Sequence, residues 1–154
     1  MRVYTRIMDE VLCLCSNTRR AALALTSLYD EALAPHGLKV TQFAVLHAVK
    51  RRTTPNLSAL ADATGLDRST LGRNLKVLEE AGVVALSPGD DGRDRVVALT
   101  PQGEQTLRAA TKTWLRLQER LSTALGEDTG RLLSVTRRVS ALARDPAHRA
   151  AALR

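Results

Sequence analysis

The sequence predicts a mainly α-helical fold that carries one small β-hairpin. Hydrophobic residues make up 44 % of the 154 residues but aromatic residues only 3 %, so the core must consist mainly of Leu, Val and Ala, which favours packed helices over a β-sandwich. Apolar residues recur at steps of three and four through most of the chain, which is the period of an amphipathic helix. Only residues 83–99 change to a period of two, around the turn sequence Pro-Gly-Asp-Asp-Gly, which predicts a hairpin with a charged tip.

The first predicted element is a long helix from Thr5 to Ala34, because no Gly or Pro interrupts the chain before Pro35. It carries two neighbouring apolar stripes, one from Met8 to Ala32 and the other from Ile7 to Leu28. A helix that covers a single core needs one apolar face about 100° wide. The second apolar stripe predicts that this helix packs both on its own core and on a second chain.

Residues 56–82 predict two short helices joined by a tight turn at Gly65, where a positive φ costs little. Asp67 is placed to cap the start of the second helix, and Gly82 is placed to end it. Leucines at helical spacing would face the core. The residues left on the outer face are Arg68, Ser69, Arg73, Asn74 and Lys76.

The other elements follow from the same signals. Another helix is predicted from Val40 to Arg52, before the two short ones. After the hairpin, Thr100 is an N-cap for a helix from Pro101 to Leu125. A last helix is predicted from Asp128 to Arg144, and residues 146–154 are expected to form a frayed basic tail.

The charge of the chain predicts a polyanionic partner. Lys and Arg number 23 against 16 Asp and Glu, a net charge of +7, which does not by itself distinguish DNA from RNA or an anionic membrane surface. No apolar run approaches the roughly 18 residues needed to span a bilayer, and no signal-peptide core follows Met1. We therefore expect a cytoplasmic protein without a membrane partner.

The sequence carries no motif for catalysis or metal binding. It contains no Gly-rich phosphate loop, no His-Glu motif and no nucleophile beside a sequence-adjacent base. His36, His47 and His148 lack the spacing of metal ligands. We expect neither an enzyme nor a bound metal or cofactor.

A helix, a glycine turn, a capped helix with a basic outer face and a hairpin together form the pattern of a winged helix-turn-helix DNA reader. The segment resembles the winged helix-turn-helix of the MarR family of transcriptional regulators. The resemblance lies in four runs: DRSTL at 67–71, LEEAG at 78–82, DGRDR at 91–95 and LTPQG at 99–103.

The resemblance implies one domain over residues 1–154, with its DNA-binding region at 40–100 and dimerisation helices at 5–34 and 101–145. It implies a homodimer with two winged heads. Two-fold symmetry would then require a pseudo-palindromic operator with half-sites about 34–36 Å apart. By this resemblance the chain is expected to be a repressor that a small molecule or cysteine oxidation releases from DNA.

The early part of the second short helix is the part that usually meets base edges. Arg pairs bidentately with guanine and Asn with adenine, each contact discriminating by about 1–3 kcal/mol. In the hairpin, arginines would contact the minor groove or phosphates, and the resemblance assigns Asp91 to holding Arg93 in place. The predicted DNA-binding residues are Arg68, Ser69, Thr70, Arg73, Asn74, Lys76, Asp91, Arg93 and Arg95.

Two cysteines are candidates for a redox signal. Cys13 and Cys15 lie two positions apart on the predicted first helix, so they would point to opposite faces and could neither bind one metal nor bond to each other. In the peroxide-sensing OhrR branch of the resembling family, a reactive cysteine and a tyrosine occupy places that match Cys15 and Tyr29. The alternative is that Cys15 is a small buried hydrophobe.

A small-molecule signal is the other candidate. In the resembling family, ligands bind between the dimerisation helices and the DNA-reading head. Arginines would suit an aromatic acid, although each candidate could equally be a surface charge, a hydrogen-bonded histidine or a core aromatic. The candidate pocket residues are Arg19, Arg20, His36, His47 and Trp114.

A second class of function stays open from the residues alone. The chain could be a dimeric helical adaptor that uses its winged helix to bind other proteins and does not read DNA. The basic face between Arg68 and Lys76 argues against this alternative, because it would repel most basic partners.

Overall fold

The computed structural model describes residues 13–52, 55–89, 95–152 and 154. In these residues the chain is mainly α-helical, with one antiparallel sheet of two strands. The helices are α1 (Leu14–Leu33), α2 (Val40–Lys50), α3 (Leu57–Thr64), α4 (Arg68–Glu80), α5 (Pro101–Leu125), α6 (Asp128–Arg144) and α7 (Pro146–Ala152). The strands are β1 (Val84–Pro88) and β2 (Arg95–Leu99). The predicted fold class, mainly α with a small hairpin wing, is confirmed.

The chain divides into two compact units, Met1–Leu115 and Arg116–Arg154. The first unit contains the two short helices and the hairpin, and the second contains the end of α5 together with α6 and α7. None of the helices described here combines the length and the apolar character needed to cross a membrane.

The core of the first unit consists of aliphatic side chains, as the composition predicts. Its only buried aromatic residue among those described is Phe43, and the ring of Trp114 stacks on it with centroids 6.0 Å apart. Full burial of one leucine side chain in this core stabilises the fold by about 1.5–3 kcal/mol. The side chains that exclude solvent almost completely are Leu33, Val45, Leu46, Leu60, Leu71, Leu75, Leu78 and Val97.

The first described helix ends at Leu33, one residue before the predicted Ala34. A short 3₁₀ turn, Ala34–His36, follows α1, and Gly37 takes a left-handed conformation. The connection to α2 is then held by Asp30, whose Oδ1 accepts a hydrogen bond from the backbone N–H of Val40 at 2.7 Å. A side chain of α1 thereby satisfies one of the unpaired donors at the start of α2.

A short segment at residues 55–56, with Pro55 predicted to lie in a loop, pairs with the hairpin that forms the wing. Strand β1 pairs with β2 from Val84↔Leu99 to Pro88↔Arg95. On the other side of β2, Asn56 forms a bridge with Val96, and the Val97 N–H donates to the Pro55 carbonyl at 3.0 Å. Proline lacks an N–H but keeps its carbonyl, so Pro55 can take part at a sheet edge. The predicted hairpin tip at 90–94 lies outside the described residues.

Two further predicted boundaries differ in the structure. Helix α2 ends at Lys50, two residues before the predicted Arg52. The tail forms the helix α7 over most of its length, so the prediction of a frayed segment is wrong; Pro146 suits a first helical position, and four alanines follow within the helix. Helix α1 is described only from Leu14, and the predicted start at Thr5 lies outside the described residues.

Candidate nucleic-acid interface

The second short helix, α4, begins with a cap built from two neighbouring residues. Asp67 accepts hydrogen bonds from the Thr70 backbone N–H at 2.9 Å and from the Thr70 hydroxyl at 2.6 Å. These bonds favour the carboxylate, and they lower the pKa of Asp67 below its ordinary value, the Thr70 hydroxyl being the larger cause. The preceding turn uses Gly65 in a left-handed conformation with φ 69°. The predicted glycine turn and aspartate cap are both confirmed.

The outer face of α4 is basic. Leu71, Leu75 and Leu78 are buried, so the opposite side of the helix faces solvent. The first turn contains no acidic residue, and the first carboxylate along the helix is Glu79. Arg68, Ser69, Arg73 and Lys76 are all exposed.

Two of the predicted DNA-contacting residues of α4 are half-buried instead of exposed. Thr70 is half-buried, and its hydroxyl serves the cap and accepts a long bond from Arg73 Nη2 at 3.4 Å. Asn74 is half-buried as well, with its amide nitrogen buried and without a hydrogen-bond partner in the described part of the chain. Asn74 therefore lies at the border between the outer face and the leucine stripe, three residues after Leu71 and four before Leu78, and its DNA contact stays a prediction.

The wing lies beside the last turn of α4. Arg95, at the start of β2, places Nη2 3.9 Å from Glu79 Oε1. Both side chains are largely solvent-exposed, so this pair contributes about 0–1 kcal/mol at most and leaves the arginine able to meet a phosphate. The other predicted wing residues, Asp91 and Arg93, lie outside the described residues.

The chain returns from the wing onto the end of α4. The Thr100 hydroxyl donates to the Gly82 carbonyl at 2.6 Å and accepts from the Gly103 N–H at 3.0 Å, so one side chain caps α5 and holds the turn after α4. Gly103 is buried against Val83, where an added Cβ would lie 1.9 Å from the Val83 carbonyl oxygen. Close backbone approach therefore requires glycine at this position.

A second connection joins α2 to the start of α5. Lys50 Nζ lies 2.6 Å and 2.7 Å from the two carboxylate oxygens of Glu104. This ion pair was not predicted, because the partners are 54 residues apart and no local pattern links them. Their side chains are 55 % and 34 % exposed, which limits the contribution of the pair to about 1 kcal/mol.

The cysteines are placed differently from the prediction. Cys13 is the N-cap of α1 in an extended conformation, so it does not lie within the described helix, and the argument from opposite helix faces does not apply to it. Hydrogen bonding from Ser16 lowers the pKa of the Cys13 thiol. Cys15 is exposed, so it is not a buried hydrophobe in the single chain. Tyr29 is half-buried, and burial raises its pKa.

In the described part of the chain, four of the five predicted pocket residues lie away from the two clefts that contain His47. Arg19 and Arg20 are exposed on α1, and Trp114 stacks on Phe43. His36 Nε2 lies 2.9 Å from the Thr113 hydroxyl, so its ring is already hydrogen-bonded.

The remaining pocket candidate, His47, lines two clefts beside α2. One cleft, of about 510 Å³, lies between α2 and α5 and is lined by Lys50, Glu104, Arg108 and Lys112 among others. The other, of about 560 Å³, is lined by Arg51 and Arg52. Neither includes Arg19, Arg20, His36 or Trp114. Within the described residues no group of His, Cys, Asp and Glu is arranged to hold a metal ion.

This architecture matches known transcriptional regulators. A sequence model described as the MarR family matches residues 36–94. The transcriptional regulator MosR of M. tuberculosis, solved in complex with DNA, is 33 % identical; the match covers 86 % of this chain and 99 % of that chain, with a TM-score of 0.74. The chain belongs to the MarR family.

Two further similar proteins agree with this assignment. The transcriptional repressor CouR, bound to p-coumaroyl-CoA, is 28 % identical over 90 % of this chain and 97 % of that chain, with a TM-score of 0.77. The uncharacterized HTH-type regulator YwoH of Bacillus subtilis is 26 % identical over 102 residues, 66 % of this chain and 74 % of that protein. The protein is thus a MarR-family transcriptional regulator and not an enzyme.

The match to the MarR family model ends at residue 94, before the LTPQG run at 99–103. The structure gives this run a physical role, because Thr100 and Gly103 join the end of α4 to the start of α5. The cap at Thr100 was predicted from the sequence, whereas the role of Gly103 was not. A glycine in the first turn of a long helix, where it weakens the helix, was the signal that could have pointed to a close backbone contact.

Proposed function

We propose that this MarR-family regulator is a homodimer that binds a pseudo-palindromic DNA operator and represses transcription. The observation that carries the proposal is the outer face of α4, where Arg68, Ser69, Arg73 and Lys76 are exposed and the first turn has no acidic residue. A capped helix with such a face fits the major groove, which admits one α-helix. The DNA held by MosR supports the same mode of action.

Each exposed side chain of α4 has a role in this proposal. Arg68 and Arg73 read guanine through bidentate hydrogen bonds, and the cap and Thr70 hold them at the start of the helix. Ser69 contacts a base edge or phosphate, and Lys76 contacts a phosphate. In the wing, Arg93 and Arg95 contact the minor groove or the backbone, with Asp91 orienting Arg93.

The dimer is proposed from apolar surface that the single chain leaves uncovered. On α6, Leu133 is 55 % and Val139 is 53 % exposed, and Leu132, Val135 and Leu142 are exposed as well. On α1, Leu14, Leu23 and Leu28 are exposed. Large exposed apolar patches mark interaction surfaces, and a second copy of the chain presents two DNA-reading heads with the symmetry of a palindrome.

DNA binding is tested on duplexes selected from a random-sequence library, with affinity measured over a range of salt concentrations. Phosphate contacts require that affinity fall steeply as salt rises. Arg73→Ala should lose about tenfold or more in affinity for the selected duplex, the size of one bidentate base contact. The control is Arg120→Ala, which removes the same charge from an exposed position on α5 and should leave affinity unchanged.

Binding that is absent, or that does not change with salt, would overturn the proposal and favour the protein-interaction adaptor. Repression is tested separately with a reporter gene placed behind the selected duplex. Expression should fall when the regulator is present, and a rise would assign activation instead.

Release by a small molecule is proposed at the cleft between α2 and α5. Its size is within the range of ligand sites, and the three cationic side chains Lys50, Arg108 and Lys112 outnumber the single carboxylate, Glu104; His47 also lines the cleft. An anionic ligand that takes Lys50 would compete with Glu104 in the first turn of α5, beside the junction with α4. The p-coumaroyl-CoA bound to CouR supports small-molecule release in general terms. Arg19, Arg20, His36 and Trp114 stay candidates for other parts of a ligand site.

Release by oxidation is the alternative signal. The lowered pKa of Cys13 and the exposure of Cys15 both favour reaction with an oxidant, because the thiolate is the reactive form. Hydrogen peroxide should release the operator duplex from the wild type, and Cys13→Ser and Cys15→Ser identify the responsible thiol. If both variants and their double variant still respond, oxidation at these thiols is not the signal.

The cleft between α2 and α5 is tested in the same assay with benzoate, and neutral benzamide is the control. Lys50→Met should remove any response to benzoate.

A further inference from the structure

Gly72 lies in the interior of α4, and nothing in the described part of the chain requires a glycine there. Glycine is the least favourable helix residue after proline, and Gly72 is the fifth residue of a 13-residue helix. Its φ is not among the positive values that require glycine. The helix could therefore accommodate a side chain at this position and would gain stability from it.

The surroundings of Gly72 are open on its own chain. A Cβ built on Gly72 would meet no heavy atom within 4 Å in the described part of the protein. Gly103 is the opposite case, because a Cβ there would lie 1.9 Å from a backbone oxygen. The space beside Gly72 is thus not needed by the fold.

The residues around Gly72 are those of the proposed DNA-reading face. Side chains three and four positions apart are neighbours on a helix surface, so Gly72 lies next to Ser69, Arg68 and Lys76, all of which are exposed. The position is a notch in the basic face, with long cationic side chains on both sides and bare backbone at its base. Glycine is the residue that lets a backbone come close to a ligand, because it has no side chain in the way.

We infer that Gly72 is the point where the backbone of α4 approaches a base edge most closely in the major groove, and that its missing side chain helps to select the base pair that fits there. The long side chains of Arg68 and Lys76 can then reach past the notch to base and phosphate. The inference rests on the proposed function, because it needs α4 to enter the groove.

The test compares Gly72→Ala with the wild type on a duplex selected by the wild type from a random-sequence library. Alanine is compatible with the helix and its Cβ meets no described atom within 4 Å, so thermal stability should rise. Affinity for the selected duplex should fall by about tenfold or more, as expected for loss of one close base contact, while affinity for mixed-sequence DNA should stay the same. Selection with the variant should change the preferred base at one position in each half-site.

The control is Gly130→Ala, at an exposed helical glycine of α6 where an added Cβ also meets no described atom. It should raise stability without changing the selected sequence. Equal affinity and equal base preference of Gly72→Ala and wild type would overturn the inference while leaving DNA binding intact. Failure of the wild type itself to bind DNA would overturn the proposed function and the inference together.

Discussion

At the scale of single residues, Asp67 controls the end of α4 that carries Arg68 and Ser69. Its carboxylate accepts two hydrogen bonds from Thr70, and these are formed only by the folded chain. Loss of the cap frays the first turn of a helix. The cap therefore links a single side chain to the position of the proposed base-reading residues.

We predict that Asp67→Ala lowers both the midpoint of thermal unfolding and the affinity for operator DNA. Asp67→Asn keeps an oxygen acceptor for the Thr70 N–H and should lose less of both. Circular dichroism and a binding titration measure the two effects. Asp62→Asn, which removes the same charge from an exposed position on α3, is the control and should behave as the wild type.

The lowered pKa of Asp67 adds a dependence on pH. Because the folded-state pKa lies below the unfolded one, the stabilisation is complete above the unfolded pKa and is lost as pH falls through the folded pKa. The difference in unfolding temperature between wild type and Asp67→Asn should therefore shrink as the pH is lowered below the ordinary range of aspartate. A difference that grows on acidification would contradict the cap.

At the scale of elements, the connection between α4 and α5 is a rigid junction. Thr100 holds the Gly82 carbonyl and the Gly103 N–H, and Gln102 Nε2 donates to the Ala81 carbonyl at 3.2 Å. The end of α4 and the first turn of α5 cannot separate without breaking these bonds. A displacement of the start of α5 would consequently move the end of α4, which provides a physical route from a signal to the DNA-reading helix.

We predict that Gly103→Ala destabilises the protein by about 1–3 kcal/mol or more, because its Cβ would overlap the Val83 carbonyl and force the two backbones apart. Gly72→Ala is the matched control, since the same methyl group there meets open space and should stabilise the helix by about 1 kcal/mol. Urea unfolding of both variants measures the difference. Equal stability of the two variants would show that α5 does not pack closely on Val83.

At the scale of the whole molecule, apolar residues on α1 and α6 are exposed in the single chain. Every described side chain from Gly130 to Leu142 on α6 is exposed, although this helix has a clear apolar stripe. A stripe of this kind is stable in water when another surface covers it. The proposed second copy would cover it and would also set the distance between the two heads.

We predict that Val139→Asp yields a monomer in sedimentation experiments at micromolar concentration and weakens operator binding, because one head then binds one half-site alone. Ser134→Asp adds the same charge on the polar side of α6 and should leave the dimer intact. If Val139→Asp still sediments as a dimer, the apolar stripe of α6 is not the interface.

Local sequence signals were enough to predict the order of the helices α1 to α6 and of the hairpin, the cap at Asp67, the glycine turn at Gly65 and the basic face of α4. These features depend on residues within a few positions of one another, so helical period, capping chemistry and turn preference predict them. The family could be assigned for the same reason, since its motifs are short local runs.

The contacts between distant parts of the chain became visible only in the folded structure. It placed Asn74 at the border of the leucine stripe, paired Lys50 with Glu104, placed Pro55 at the edge of β2 and brought Gly103 against Val83. Each of these contacts depends on how elements pack, and packing joins residues that are distant in the chain and leave no local pattern. The physical reason is that side-chain period records which face of an element is buried, whereas the packed fold alone decides what that face meets.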